Sequence, residues 1–185
     1  MGKIDELMNT LCPDGVKRYR MSDVAEICRG VRVVKSQLLE HGFPVYQNCL
    51  SPMGFYDKYN CKKDTTFVIC GGAAGNVGYS NCDFWAADDC EYIKCSSKVL
   101  DRYLYFYLLS QADYLKAHVR TASIPRLSPS VLKNMDIPVP PLEIQNEIVG
   151  FLDKITELET ELETELENIK LQKFYYLHKL LSFEK

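Results

Sequence analysis

Side chains that can form paired hydrogen bonds are concentrated in segments that the sequence predicts to be loops or short extended stretches. Arg, Lys, Asn and Gln suit the donor and acceptor groups on nucleic-acid base edges, and Ser and Tyr add single hydrogen bonds. An ordinary surface role is the alternative for every one of them. The loops with Arg29 and Arg32 and with Arg120 are the strongest candidates, because charge and hydrogen-bonding groups are densest there. The full set of candidate contacts is Arg18, Arg20, Arg29, Arg32, Gln47, Asn48, Lys58, Asn76, Tyr79, Asn81, Arg120 and Ser123.

A glycine-rich segment, residues 71–79, follows the apolar and β-branched stretch 65–70. Glycines that follow a strand can cradle a phosphate when a helix comes next. Here no Gly-Lys-Ser/Thr follows, and residues 79–85 read as another strand. The pattern therefore predicts a glycine hairpin between two strands, with a nucleotide site at Gly71–Gly78 as the alternative.

Acidic and sulfur ligands give weaker patterns. Asp88, Asp89 and Glu91 could suggest a metal pair, but no other ligand type lies at a useful spacing, so a polar turn is predicted. The eight cysteines contain no C-x-x-C pair and the three histidines are scattered, which predicts no metal site. The absence of a recognisable signal, together with short apolar runs, predicts a cytoplasmic protein with free thiols.

Charge is distributed unevenly along the 185 residues, whose net charge is −3. Residues 1–150 carry 17 basic and 17 acidic side chains, whereas residues 151–185 carry 5 basic and 8 acidic ones. Most of these acids lie between Asp153 and Glu167. Because that face would repel phosphate, any nucleic acid is expected on the first 150 residues.

Short helices and strands are predicted to alternate through residues 1–140, which indicates a mixed α and β domain. Extended segments are predicted at 16–21, 44–47, 65–70, 79–85, 91–95, 124–127 and 137–139. Helices are predicted at 4–11, from a Ser22 cap through 27, at 35–41, at 102–118 after an Asp101 cap, and from Ser128-Pro129 to 133. The fold class is thus α/β (mixed α+β) with a long C-terminal helix.

Residues 141–185 are predicted to form one long helix that begins at Pro141. Such a helix spans roughly 60 Å at 1.5 Å per residue, which is too long to pack only on the preceding domain. Its apolar stripe therefore needs a second helix, in this chain or another. The predicted interface residues are Ile148, Leu152, Ile155, Leu158, Leu162, Leu166, Ile169, Tyr176 and Leu180.

The middle of this helix contains three identical copies of Thr-Glu-Leu-Glu, at residues 156–167. Each copy overshoots a helical turn by about 40°, so the leucines stay within one stripe. Each copy also adds roughly 6 Å, which makes the repeat a length module. A solvated acidic helix in any coiled coil is the alternative interpretation.

Two blocks of the sequence resemble the specificity (S) subunits of type I restriction–modification enzymes. Residues 11–16, with the sequence LCPDGV, resemble the start of a target recognition domain. Residues 127–145 resemble the junction between that domain and the conserved helix, through Ile137–Glu143 and Gln145 above all. The resemblance covers essentially the whole chain. It implies a DNA target recognition domain at 1–140 and a conserved coiled-coil spacer and dimerisation helix at 141–185.

The resemblance also implies a role without catalysis in this chain. The expected partners are double-stranded DNA, modification subunits that bind S-adenosylmethionine and methylate adenine, and a restriction subunit that uses ATP. No cofactor is expected in this chain itself. Four-residue repeats in the family's helix change the spacing of the recognised half-sites.

S subunits of this family consist of two such halves in tandem, whereas this sequence has one. An antiparallel homodimer, or pairing with another S half, would restore two recognition domains, and a truncated allele is the other explanation. Two different functions remain open: a coiled-coil interaction protein without DNA binding, and a nucleotide-binding enzyme that uses Gly71–Gly78.

Overall fold

The computed structural model describes residues 2–121 and 123–183. These residues form two compact units, Met1–Ile148 and Val149–Lys185. The first unit contains all the strands within the described residues, and the second consists mainly of one helix. No helix within these ranges has both the length and the apolar character that crossing a membrane requires.

The mixed α and β architecture predicted from the sequence is confirmed. The strands are β1 Arg18–Arg20, β2 Ala25–Arg29, β3 Phe43–Tyr46, β4 Phe55–Tyr56, β5 Thr65–Ile69, β6 Val77–Ser80, β7 Trp85–Ala86, β8 Cys90–Cys95 and β9 Asp136–Pro138. The helices are α1 Gly2–Leu11, α2 Met21–Val24, α3 Asp101–Ser110, α4 Ala112–Ala117, α5 Pro129–Asn134 and α6 Leu142–Leu181, with a 3-10 turn at Lys35–Gln37.

The main sheet has four antiparallel strands in the order β2-β8-β5-β6. At one end of this sheet Arg29 of β2 lies opposite Glu91 of β8. At the other end Ala25 lies opposite Cys95, and Thr65 of β5 lies opposite Ser80 of β6. Strands β4-β3-β7 form a smaller sheet in which β3 and β7 are parallel, and β1 pairs with β9.

Aromatic side chains fill the core beneath the main sheet. Phe67 and Phe84 are buried, and the Tyr46 ring stacks on Phe67 with the ring centroids 4.7 Å apart. Gly78 lies under the Phe67 ring, and a Cβ there would be 2.3 Å from it. The aromatic core therefore requires a glycine at this position, whatever the role of the preceding loop.

Gln145 anchors the start of the long helix to the first unit. Its side chain is fully buried and accepts a hydrogen bond from the Leu100 amide at 2.9 Å. Its amide nitrogen donates to the carbonyls of Lys98 at 2.7 Å and Pro140 at 2.8 Å. The α6 helix thereby begins in a fixed place relative to the loop before α3.

Several predicted elements are confirmed, among them the strand at 65–70, the Ser128 cap of α5 and the long helix. The Ser128 hydroxyl accepts a hydrogen bond from the Ser130 amide, as an N-cap does.

The predicted helix from a Ser22 cap through Ile27 is wrong at both ends, because Arg20 occupies the N-cap position and the helix ends at Val24. From Ala25 onward the chain forms β2, because pairing with β8 outweighs the weak helical preference of a four-residue stretch. The predicted helix at 35–41 is also wrong, since only the 3-10 turn Lys35–Gln37 forms.

The predicted helix at 102–118 is divided at Gln111 into α3 and α4. The Asp101 cap is wrong too, because Leu100 occupies the N-cap position and Asp101 lies in the first turn. The predicted strand at 79–85 is interrupted after Ser80, whose hydroxyl accepts from the Cys82 amide and stabilises a turn.

Candidate nucleic-acid interface

A cavity of about 460 Å³ opens at the end of the main sheet where Arg29 faces Glu91. Its lining combines arginines and carboxylates, and we call it the arginine–carboxylate cavity. The charged lining residues are Arg29, Asp88, Asp89, Glu91, Arg120 and Arg126.

One wall of the cavity is formed by residues 120–121 and 123–126, which we call the rim loop. Its neck is closed by two backbone hydrogen bonds, from Arg120 N to Arg126 O at 2.9 Å and from Arg126 N to Arg120 O at 3.0 Å. The adjacent Leu127 amide donates to the Cys70 carbonyl at 2.9 Å, which attaches the loop to the end of β5. The arginine side chains therefore project from a backbone that the sheet holds in place.

Gly71 and Gly72 allow the surrounding chain to approach this wall closely. A Cβ at Gly71 would lie 2.6 Å from Oδ1 of Asp89, and one at Gly72, where φ is +81°, would lie 2.9 Å from Cβ of Asn48. The predicted hairpin is confirmed, because β5 and β6 are antiparallel neighbours. A strand follows the glycines, so the loop lacks the strand-to-helix geometry of the phosphate-binding alternative.

The carboxylates and arginines are joined in a network. Arg126 Nη1 lies 3.1 Å from Asp89 Oδ1, and Arg29 Nε donates to the Asp88 carbonyl at 3.3 Å. Gln47 Nε2 donates to Asp88 Oδ1 at 3.1 Å. Each of the two aspartates thus restrains one arginine at the mouth of the cavity.

Glu91 lies deepest among the carboxylates, with 5% of its surface exposed. Burial raises the pKa of its carboxyl group, and the positive charges of Arg29 and Lys133 partly oppose that effect. Burial next to Glu91 and Asp89 also raises the pKa of the Cys70 thiol to about 12. Cys70 therefore stays protonated near neutral pH and is a poor nucleophile or metal ligand.

Within residues 2–121 and 123–183, no cluster of three or more His, Cys, Asp or Glu side chains is arranged to hold a metal ion. Asp88 and Asp89, the metal-pair alternative, lie in the turn before β8, where Gln47 and Arg126 contact them.

Five of the candidate contact residues are brought to this region. Arg29, Arg120 and Ser123 line the cavity. Gln47 binds Asp88, and Asn48 packs against Gly72. Arg29, predicted to lie in a loop, is instead the last residue of β2, because it pairs with Glu91 of β8. The two arginines that the sequence favoured most, Arg29 and Arg120, nevertheless meet at one site.

Four other candidates lie elsewhere, and three of them, Arg18, Arg20 and Tyr79, lie in strands within the segments predicted to be extended. Arg18 and Arg20 belong to β1, where Arg18 Nη2 donates to the Asp136 carbonyl at 2.8 Å. Tyr79 belongs to β6, its ring lies 4.5 Å from the Arg102 guanidinium, and its hydroxyl donates to Asp64. Asn81 follows β6 at the end of the sheet away from the cavity.

The remaining three candidates do not line the cavity. Arg32 is exposed in the loop after β2, and Lys58 is exposed after β4. Asn76 lies in the turn between β5 and β6, where its carbonyl accepts from the Ile69 amide at 2.9 Å.

Sequence reasoning missed four members of the cavity as contact residues: Asp88, Asp89, Glu91 and Arg126. The sequence predicts a polar turn for the acids, and it predicts a short extended stretch for Arg126. The one available signal was that two arginines, Arg120 and Arg126, flank a polar loop at a spacing that a hairpin-like neck can close.

The predicted interface residues lie along α6. Ile148 and Leu152 are partly buried, whereas the others from Ile155 to Leu180 are exposed, Leu162 at 64%. The hydroxyls of Thr156, Thr160 and Thr164 donate to the carbonyls four residues earlier. The threonines of the repeat therefore satisfy their hydroxyls within the helix, while its leucines remain exposed in this chain.

The family model for the type I restriction modification DNA specificity domain matches residues 13–171. The chain belongs to this family. The match covers the mixed unit and most of α6, so the resemblance seen in the LCPDGV and junction blocks is confirmed. Family membership does not by itself assign any contact residue.

Curated and solved members of the specificity family extend this finding. The chain is 30% identical over 165 residues to a protein of Mycoplasma pneumoniae named as a type I specificity subunit, covering 86% of this chain and 45% of that one. It is 30% identical over 140 residues to the type I restriction enzyme MpnII specificity subunit of the same organism, covering 72% and 42%.

The fold also matches a crystal structure of the type I S subunit from M. genitalium, with a TM-score of 0.73, 22% identity, and coverage of 91% of this chain and 46% of that one. The HsdS subunit from Thermoanaerobacter tengcongensis gives a TM-score of 0.65 at 19% identity, with coverage of 89% and 46%. The chain thus spans a little under half the length of these relatives.

Proposed function

We propose that this chain is one DNA-reading half of a type I specificity subunit. Residues 1–140 act as the target recognition domain and residues 141–185 as the spacer and dimerisation helix. The observation that carries the proposal is the arginine–carboxylate cavity, where Arg29 at the end of β2 and Arg120 on the rim loop lie together at one end of the main sheet. Arginines held on such a scaffold suit the recognition of base edges in double-stranded DNA.

The distribution of charge supports DNA binding by the first unit together with partner subunits. Residues 1–150 carry equal numbers of basic and acidic side chains, so this chain alone offers little attraction to the phosphate backbone. The acidic helix would repel phosphate. Much of the non-specific affinity therefore comes from the subunits that this chain assembles.

Catalysis is assigned to those partners. Modification subunits hold S-adenosylmethionine and methylate adenine, and a restriction subunit uses ATP. This chain selects the sequence and positions the modification subunits, and performs no reaction itself. The raised pKa of the Cys70 thiol agrees with recognition rather than nucleophilic chemistry at the cavity.

A second copy of the chain supplies the missing half. The apolar residues of α6 are arranged symmetrically about Leu162: Leu158 and Leu166 lie four residues away on either side, and Ile155 and Ile169 lie seven away. Ile148 and Tyr176 lie fourteen residues away, whereas the counterpart of Leu152 is Gln172. An antiparallel pair with its two-fold axis at Leu162 therefore places apolar residues opposite apolar residues at all of these positions except Leu152.

This symmetry has a consequence for the target. A two-fold dimer presents the same recognition domain at each end, so it reads an inverted repeat separated by an unread spacer. Pairing with a different S half would give an asymmetric target instead.

The test is to purify the chain with its modification subunit and to map adenine methylation across a genomic DNA library by single-molecule sequencing. We expect methylation at one split, inverted-repeat motif, and a light-scattering mass near twice 21.2 kDa for the chain alone. The modification subunit without this chain is the control and should methylate no motif. A complex that assembles but methylates without sequence preference would contradict the proposal and favour a coiled-coil scaffold.

A further inference from the structure

We propose that the arginine–carboxylate cavity reads a G·C base pair in the half-site. Arg29 and Arg120 donate to guanine, and the Asp88 carboxylate accepts from cytosine. The inference rests on the proposed DNA-reading function and adds to it the kind of base pair and the residues that select it.

The balance of charge in the cavity disfavours a phosphate as its ligand. Three arginines and three carboxylates line the cavity, and one arginine, Arg126, already lies 3.1 Å from Asp89. A phosphate would meet repulsion from Asp88 and Glu91 as well as attraction from the arginines. A base pair presents donors and acceptors side by side without a net charge, so a mixed lining suits a base-pair edge.

The donor geometry favours guanine. A guanidinium group forms its best contact with two neighbouring acceptors, and only guanine offers two, O6 and N7, on its major-groove edge. The paired cytosine presents the N4 amino group beside them, which requires an acceptor such as a carboxylate. An arginine next to an aspartate therefore complements the two acceptors of guanine and the amino group of cytosine. The same pair does not complement A·T, because adenine presents one acceptor and one donor on this edge.

The hydrogen bonds that Arg29 and Asp88 form within the protein do not use the atoms that the proposed base contacts require. Arg29 contacts the Asp88 carbonyl through Nε at 3.3 Å, a bond that does not use the Nη fork. Gln47 binds Oδ1 of Asp88 at 3.1 Å, so Oδ2 is not used by that bond. Arg120 projects from the neck of the rim loop, whose backbone hydrogen bonds hold its Cα in place. Preorganisation of this kind lowers the entropy lost on binding.

The experiment compares variants of the cavity in the complex with the modification subunit. Arg29→Lys and Arg120→Lys keep the positive charge but remove the bidentate fork, and Asp88→Ala removes the acceptor. Arg102→Lys is the matched control, because Arg102 is not a candidate contact, its guanidinium lies over the Tyr79 ring from α3, and it does not line the cavity. Methylation rates are measured on oligonucleotides that carry the wild-type motif or single base-pair changes in one half-site, and melting temperatures confirm folding.

The wild-type half-site is expected to contain a G·C pair whose replacement the cavity variants tolerate. Discrimination at that one position should fall about 5- to 150-fold in Arg29→Lys, Arg120→Lys or Asp88→Ala, the range of one good base contact, while other positions are unaffected. Arg102→Lys should keep the wild-type preference. A half-site without any G·C pair, or unchanged discrimination in all three folded variants, would overturn the inference. Loss of motif-directed methylation in the wild-type complex would instead reject the proposed function itself.

Discussion

At the scale of single residues, Glu91 illustrates a conflict between stability and recognition. Burial disfavours its charged form, and Arg29 and Lys133 only partly offset that cost. The folded state therefore binds the Glu91 proton more tightly than the unfolded chain does. Ionisation of Glu91 lowers stability as pH rises through its pKa. A buried charge that costs stability is more readily understood at a binding site than in a purely structural position.

This predicts the effect of Glu91→Gln, which keeps the shape and removes the charge. The variant should be more stable than the wild type at pH 7, because its buried side chain no longer has an ionised form. The gain should shrink as the pH falls and vanish below about pH 4, where the glutamate is protonated in both states. Urea unfolding of the two proteins at a series of pH values measures this difference. An equal or larger gain at low pH would show that burial of the charge is not the cause.

At the scale of elements, the long helix has two different faces, one with the threonines of the repeat and one with its leucines. The hydroxyls of the threonines at positions 156, 160 and 164 donate hydrogen bonds to backbone carbonyls of the same helix, while the leucines of the same repeat remain exposed. Exposed leucines in consecutive turns are unusual in a chain without a partner. In the proposed antiparallel homodimer, these leucines would be covered by another copy of the same helix.

The paired substitution Leu162→Lys and Leu166→Lys should dissociate the dimer. Four leucines per dimer are lost, and each contributes about 1.5–3 kcal/mol when buried, so the dissociation constant should rise at least about a thousandfold. Light scattering over a dilution series measures the shift.

The matched control is Thr160→Lys with Thr164→Lys, which adds the same charges at the same spacing on the opposite side of the helix. The control dimer should persist. If both double variants remained dimeric, or both dissociated, the leucine stripe would not be the interface.

At the scale of the whole molecule, the number of repeat copies sets the length of the helix. In the proposed dimer, that length would set the distance between the two recognised half-sites. The residues flanking it keep their symmetry when copies are added, because Ile155 lies three residues before the first repeat leucine, and Ile169 three after the last. Added copies therefore lengthen the proposed antiparallel pair without placing polar residues in the flanking contacts. The pair can act as a ruler between two recognition domains.

Insertion of a fourth Thr-Glu-Leu-Glu copy should accordingly lengthen the unread spacer by about one or two base pairs, since each copy adds roughly 6 Å. The recognised bases in each half-site should stay the same. Methylation mapping of the complex reports both features. Thr160→Ala with Thr164→Ala, which alters the repeat without changing its length, is the control. An unchanged spacer after insertion would reject the ruler.

Local patterns in the sequence were sufficient wherever one physical constraint dominated. The three-four spacing of apolar residues determined the long helix, and the β-branched run at 65–70 determined a buried strand. The Ser128-Pro129 pair determined a helix start, because the cap and the fixed proline φ act within one turn. The glycine segment determined a hairpin, and LCPDGV with the junction block determined the family.

Only the tertiary structure decided which polar residues act together. Short segments such as Ala25–Arg29 have little intrinsic preference, so pairing with a strand 65 residues away in the chain selected their conformation. That pairing places Arg29 opposite Glu91, and the closed neck of the rim loop brings Arg120 and Arg126 beside them. Arg18, Arg20 and Tyr79 have equally suitable side chains, yet strands hold them elsewhere. Long-range sheet contacts determine which side chains share a site, and no local pattern in the sequence records them.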